Sequence, residues 1–165
     1  MHHTGDVSAT TVFFHAHPDD EAIFTGGTIA KLAAAGHRAV ILVATGGELG
    51  GLHHPGADRD GLASLRRTET ERAATLLGAA EVRYLNHLDS GMPGGPANEA
   101  PGSLWSADVA EVADHFVVYD EFGVYGHPDH IAVHRAGVLA AAKTGIVTLY
   151  ESTVDREYFT SSKRT

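Results

Sequence analysis

The stretch Ala39-Val40-Ile41-Leu42-Val43-Ala44 is apolar at every position. A strand with one wet face would alternate apolar and polar residues. An unbroken run suits a strand buried on both faces, as in a parallel sheet. Upstream, Thr11-Val12-Phe13-Phe14-His15 is a second β-branched and aromatic run and predicts the first strand. Between the two, Ile23, Ile29, Ala30 and Ala33 recur at helical spacing after Asp19-Asp20. Gly36 stands where a helix stop is expected. Downstream, residues 45–61 are glycine-rich and loop-like, and residues 62–77 predict a helix ending at Gly78. Residues 82–85 predict a third strand, 86–103 an irregular segment and 108–114 a short helix. Residues 116–119 predict a fourth strand. Residues 128–143 predict a helix with Pro128 at its first position, and 146–150 a fifth strand. This alternation predicts a single α/β domain, a mostly parallel sheet flanked by helices with right-handed crossovers. In such sheets ligands bind beyond the C-terminal strand ends. The chemistry is therefore expected just after the first, second and fourth strands.

Composition narrows the chemistry. The chain has 165 residues, 43% of them apolar and 20% charged, which suits one folded domain. It has no cysteine, so disulfides, thiolate metal sites and a cysteine nucleophile are excluded. With 12 histidines, a metal site would use imidazole and carboxylate. A formal net charge of −9 with no basic patch argues against nucleic acid. No apolar run reaches the ~20 residues of a membrane span. Residues 1–10 lack the basic and apolar regions of a secretory signal and read as a flexible N-terminus. A cytoplasmic protein is expected, and a homo-oligomer is left open.

Two clusters fall where the topology places chemistry. His17-Pro18-Asp19-Asp20-Glu21 follows the first strand. One carboxylate there would serve as a plain helix cap. An adjacent pair beside a histidine goes further: one carboxylate can bind a metal while the other takes a proton from water. Tyr125-Gly126-His127-Pro128-Asp129-His130 follows the fourth strand and puts two histidines three apart at a helix start. His134 lies four residues beyond His130, at the spacing of a two-histidine metal grip, but Ile131 stands where the accompanying glutamate would be. His134 is therefore read as a supporting or surface residue. The remaining histidines are read as structural or surface residues.

Together these clusters resemble the LmbE-like (PIG-L) N-acetylglucosaminyl deacetylases. Thr45-Gly46-Gly47-Glu48-Leu49-Gly50, Arg66-Arg67-Thr68-Glu69 and Asp89-Ser90-Gly91-Met92 resemble further motifs of that family, in the same order. The resemblance implies a Rossmann-like fold and zinc-dependent removal of an N-acetyl group from an N-acetylglucosamine-bearing small molecule. It places the metal ligands on His17, Asp20 and His130 and the general base on Asp19. His127 would stabilise the transition state or protonate the leaving amine, with Asp129 orienting it, and Tyr125 would assist the oxyanion. Arg66 and Asp89 would hold sugar hydroxyls. Zinc is the expected metal, with iron(II) or another divalent ion as the alternative. Residues 11–150 would form the catalytic domain and 151–165 a short tail, without the family's C-terminal part. The alternatives are an amidase acting on a larger amide conjugate, or an idle metal- or sugar-binding remnant. A dinucleotide-binding domain does not fit, because His-Pro-Asp-Asp-Glu replaces the glycine-rich fingerprint.

Overall fold

The apolar runs form strands of one sheet, and the faces they bury explain why they are unbroken. A computed structural model describes residues 9–51, 59–92, 97, 115–146 and 148–155. The strands are β1 (Thr10–His15), β2 (Arg38–Thr45), β3 (Glu81–His87), β4 (His115–Tyr119) and β5 (Thr148–Ser152), in the spatial order β3-β2-β1-β4-β5. All four pairings are parallel. In β1 and β2, Phe14 and Leu42 join Phe116 and Val118 on one face, while Phe13, Ile41 and Val43 join the core on the other. The first face packs under Ala132, Val133 and Ala136 of α4 (Pro128–Thr144). The second packs against Ile29 of α1 (Gly26–Ala34) and Ala74 of α2 (Arg59–Leu77). Burying each large side chain contributes about 1.5–3 kcal/mol.

The order of the strands positions the site. The chain steps outward from β1 to β2 and β3, then returns to β4 on the other side of β1. Beyond the C-terminal ends of β1 and β4 the connections diverge and leave a crevice.

Several elements differ from expectation. The helix after β1 does not start as an α-helix: Glu21–Thr25 is a π-wound turn leading into α1. Neither aspartate caps it. Asp20 stands at the N-cap position without a side-chain capping bond, and its carboxylate accepts the His17 N–H instead. The Thr25 hydroxyl, within reach of the Glu21 carbonyl (3.1 Å), sits at the last residue of this turn. β3 runs on through His87, beyond the expected boundary, because an extra residue between Tyr84 and His87, opposite the step from Val43 to Thr45, lets His87 pair with Thr45. β5 lies two residues later than expected: Gly145 closes α4 in a left-handed conformation, and pairing with β4 begins at Thr148. α2 begins at Arg59, inside the expected loop. A one-turn helix, α3 (Gly123–Gly126), was not expected; the Asp120 carboxylate accepts the Phe122 and Val124 N–H groups and folds it. The expected helix 108–114, residues 1–8 and residues 156–165 lie outside the described residues.

Candidate metal centre

The crevice between β1 and β4 gathers the two clusters. His17 and Asp20 come from the turn after β1; His127, Asp129 and His130 come from the start of α4. Asp20 Oδ2 lies 3.4 Å from His17 Nδ1 and 3.4 Å from His130 Nε2, so Asp20 touches both other expected ligands. Donor atoms of His17, His127 and His130 lie within 4.8 Å of one another, as do those of His17, Asp89 and Asp129. The structure thus offers overlapping donor groups that share His17.

The donor set fits a metal. His130 is fully buried, yet among the described residues neither of its ring nitrogens has a hydrogen-bond partner. Leaving a buried nitrogen unsatisfied costs about 1–3 kcal/mol, and coordination would remove that cost. Imidazole and carboxylate donors suit zinc and iron(II).

The charges follow from the same contacts. Burial opposes charging Asp20, but the His130 and His17 imidazoles outweigh it and hold its carboxyl well below the usual range. Burial also opposes charge on His17, yet its hydrogen bond to Asp129 and its contact with Asp20 raise it to about 10 without metal. His127 is pushed down to about 4 by burial and by the neighbouring His17 and His130. As N-cap of α4, His127 accepts the Asp129 N–H at Nδ1 (3.2 Å), so its neutral ring carries the proton on Nε2. The Asp129 carboxylate does not meet His127. It meets His17 Nε2 at 3.0 Å and accepts the Ser90 N–H at 3.0 Å, so what Asp129 gives His127 is its backbone.

Asp19 faces the other way. Its φ of +96° is in the left-handed region, unusual for an aspartate, and turns its carboxylate outward to the pocket. The buried Glu21 carboxylate accepts the Asp19 N–H at 3.0 Å and supports this turn. Partial desolvation raises the Asp19 carboxyl, against the pull of Arg66. The Arg66 guanidinium donates to Asp19 Oδ2 (2.7 Å), the Pro18 carbonyl (2.6 Å) and the Gly47 carbonyl (2.8 Å). Gly47, at φ +65°, leaves the space: a Cβ there would lie 2.0 Å from Arg66 Nη1. Asp89 accepts the Leu49 and Gly91 N–H groups and lines the same pocket. Tyr125 is exposed at its mouth, its ring 5.1 Å from that of His130. The pocket encloses about 280 Å³. A larger groove of about 430 Å³ shares only Phe24 with it among the described residues and contains none of the clustered donors.

His134 makes no contribution to the donor group; its Nδ1 lies 3.1 Å from the Tyr119 carbonyl. Two residues escaped the sequence reading. Tyr119 touches Asp20 and His130, and Glu48 accepts the Asp89 N–H. Tyr119 is the last residue of β4, and its place at a C-terminal strand end was the available signal.

The sequence profile of the PIG-L family, described as GlcNAc-PI de-N-acetylase, matches residues 12–141. The chain belongs to this family. This PIG-L chain is 45% identical over 149 residues to the 1D-myo-inositol 2-acetamido-2-deoxy-alpha-D-glucopyranoside deacetylase 1 of Catenulispora acidiphila, covering 77% of this chain and 46% of that protein. It is 42% identical over 151 residues to the corresponding deacetylase of Thermobifida fusca, covering 78% and 53%. Among solved structures it resembles the N,N'-diacetylchitobiose deacetylase of Pyrococcus horikoshii, with a TM-score of 0.63, 28% identity, and coverage of 81% of this chain and 49% of that one. The PIG-L chain therefore spans about half the length of the curated relatives it matches.

Proposed function

We propose that the chain carries the catalytic centre of a zinc-dependent N-deacetylase whose substrate is an N-acetylglucosaminyl inositol. The pairing of Asp19 with Asp20 carries this reading: adjacent carboxylates, one buried between two imidazoles, the other turned into the pocket. A site that only bound metal would have no use for the second. The inositol glycoside is taken from the names of relatives 42–45% identical to this chain.

His17, Asp20 and His130 would hold the metal. When bound, it supplies Lewis acidity toward the attacking water and the amide carbonyl. Asp19 accepts the water's proton as the water oxygen bonds the acetyl carbon. Arg66 fixes Asp19 Oδ2, which leaves Oδ1 for this role. His127 presents Nε2–H to the developing oxyanion, helped by Tyr125 from the mouth; one such donor is worth about 3–4 kcal/mol. As the C–N bond breaks, Asp19 returns the proton to nitrogen, giving amine and acetate. His127 is a poor carrier for that proton, because its Nδ1 already accepts the Asp129 N–H. Arg66 and Asp89, which line the pocket, would meet sugar hydroxyls.

Acetate release from the N-acetylglucosaminyl inositol, from free N-acetylglucosamine and from a longer-chain N-acyl analogue tests this. Preference for the inositol glycoside by an order of magnitude or more is expected. Equal turnover of the longer acyl amide would favour a general amidase instead.

A further inference from the structure

Behind the proposed ligands lies a buried chain of polar groups that the reaction as described does not use. Tyr119, fully buried at the end of β4, stacks its ring on the His130 imidazole with centroids 4.0 Å apart and planes 7° from parallel. Its hydroxyl donates to Asp20 Oδ2 at 2.8 Å. The same oxygen accepts the Ala16 N–H at 3.1 Å and lies 3.2 Å from His15 Nδ1. His15 Nε2 lies 2.9 Å from the Thr25 hydroxyl. His15 is itself buried on β1, and Thr25 closes the π-wound turn.

Proton counting gives this chain a direction. A carboxylate only accepts, so the Tyr119 proton goes to Asp20. The Tyr119 oxygen then accepts from Ala16 N–H and from His15, which must carry its proton on Nδ1. A neutral His15 protonated there has a bare Nε2 at 2.9 Å from the Thr25 hydroxyl, whose single proton then goes to this nitrogen rather than to the Glu21 carbonyl at 3.1 Å. Every donor then points the same way, from Thr25 through His15 and Tyr119 to Asp20, an arrangement in which successive bonds polarise one another.

We propose that Tyr119 is the positioning residue of the metal centre: its hydroxyl fixes the Asp20 carboxylate, its ring fixes the His130 imidazole, and the Nδ1–H tautomer of His15, anchored on Thr25, orders that hydroxyl. The proposal rests on the reading of His17, Asp20 and His130 as ligands. Groups that orient metal ligands typically change affinity by about 10–100-fold when removed. One residue thereby couples a ligand from β1's turn to a ligand from α4, and explains why the first helical turn is wound to bring Thr25 to His15.

The test uses the full chain loaded with zinc or cobalt(II). Zinc affinity is measured by competition with a chromophoric chelator, and ligand geometry by the cobalt d–d absorption. Tyr119→Phe keeps the stacking and removes the hydroxyl. It is expected to weaken zinc binding by about 10–100-fold and to shift the cobalt bands. His15→Phe should act in the same direction, and His15→Asn, which can place an amide N–H near the Nδ1 position, should restore much of the loss. Unchanged affinity and an unchanged cobalt spectrum in Tyr119→Phe would overturn the proposal while leaving the metal site standing. If that variant does not fold, the two His15 variants decide: equal affinity in both, with wild-type spectra, overturns it. A wild-type chain that binds neither zinc nor cobalt overturns the ligand reading and this inference with it.

Discussion

Asp19 and Asp20 are chemically identical and adjacent, yet the structure gives them opposite environments. Asp20 is enclosed by the His17 N–H, the Tyr119 hydroxyl and two imidazoles. Asp19 has one ion pair and an open side. The split follows from the backbone: a positive φ at Asp19 sends consecutive side chains to different places. Asp19→Asn should therefore lower kcat by about 10²–10⁴ while zinc stoichiometry, read by elemental analysis, stays at the wild-type value. Loss of zinc together with activity would mean that Asp19 is a ligand. The Gly47–Arg66 contact makes a second prediction. Gly47→Ala puts a methyl group where Arg66 Nη1 lies and adds the cost of a left-handed alanine, more than ~1 kcal/mol in all. Thermal melts should show the destabilisation, and kcat should fall as Arg66 releases Asp19. At this scale the sequence was informative for His17, Asp20, His127 and His130, because short motifs place them at strand ends. It marked Tyr119 only by its place at the end of a strand. A tyrosine closing Phe116-Val117-Val118 looks like ordinary core, and its partners Asp20 and Ala16 lie 99 and 103 residues away.

At the scale of elements, apolar runs and glycine stops located the five strands of the described residues and the principal helices flanking the site. Their ends moved for reasons the local pattern does not contain. The bulge in β3 depends on how that strand pairs with β2, and the π-wound turn places Thr25 beside His15, on another element. α3 exists because one carboxylate, Asp120, caps its backbone. The seat of α4 on the sheet is legible only in three dimensions. Gly137 faces β4, where a Cβ would lie 2.4 Å from Val118 Cγ1. Gly137→Ala must push α4 outward, and overpacking of this kind costs about 1–3 kcal/mol. Because α4 carries His127, Asp129 and His130, urea unfolding and zinc affinity should both register the change. A loss of stability with unaltered zinc affinity would show that the α4 N-terminus is held independently of its middle.

At the scale of the molecule, the parallel sheet brings together residues more than 100 positions apart in sequence, and the site joins the two halves of the described chain. Asp20 and His17 belong to one half, His130 and Asp129 to the other. Metal binding should then stabilise the whole fold. With free zinc about a thousandfold above Kd, the gain is about 4 kcal/mol. For a domain of this size that is on the order of 10 °C in Tm, lost on adding a chelator. The central claim is that this shared centre hydrolyses an N-acetyl amide with bound zinc and Asp19. The most direct measurement counts zinc per chain and acetate released from the N-acetylglucosaminyl inositol in the same sample, for wild type, chelated wild type and Asp19→Asn. The account predicts about one zinc and turnover in wild type, neither after chelation, and zinc without turnover in the variant. One zinc per wild-type chain with no acetate released would contradict it.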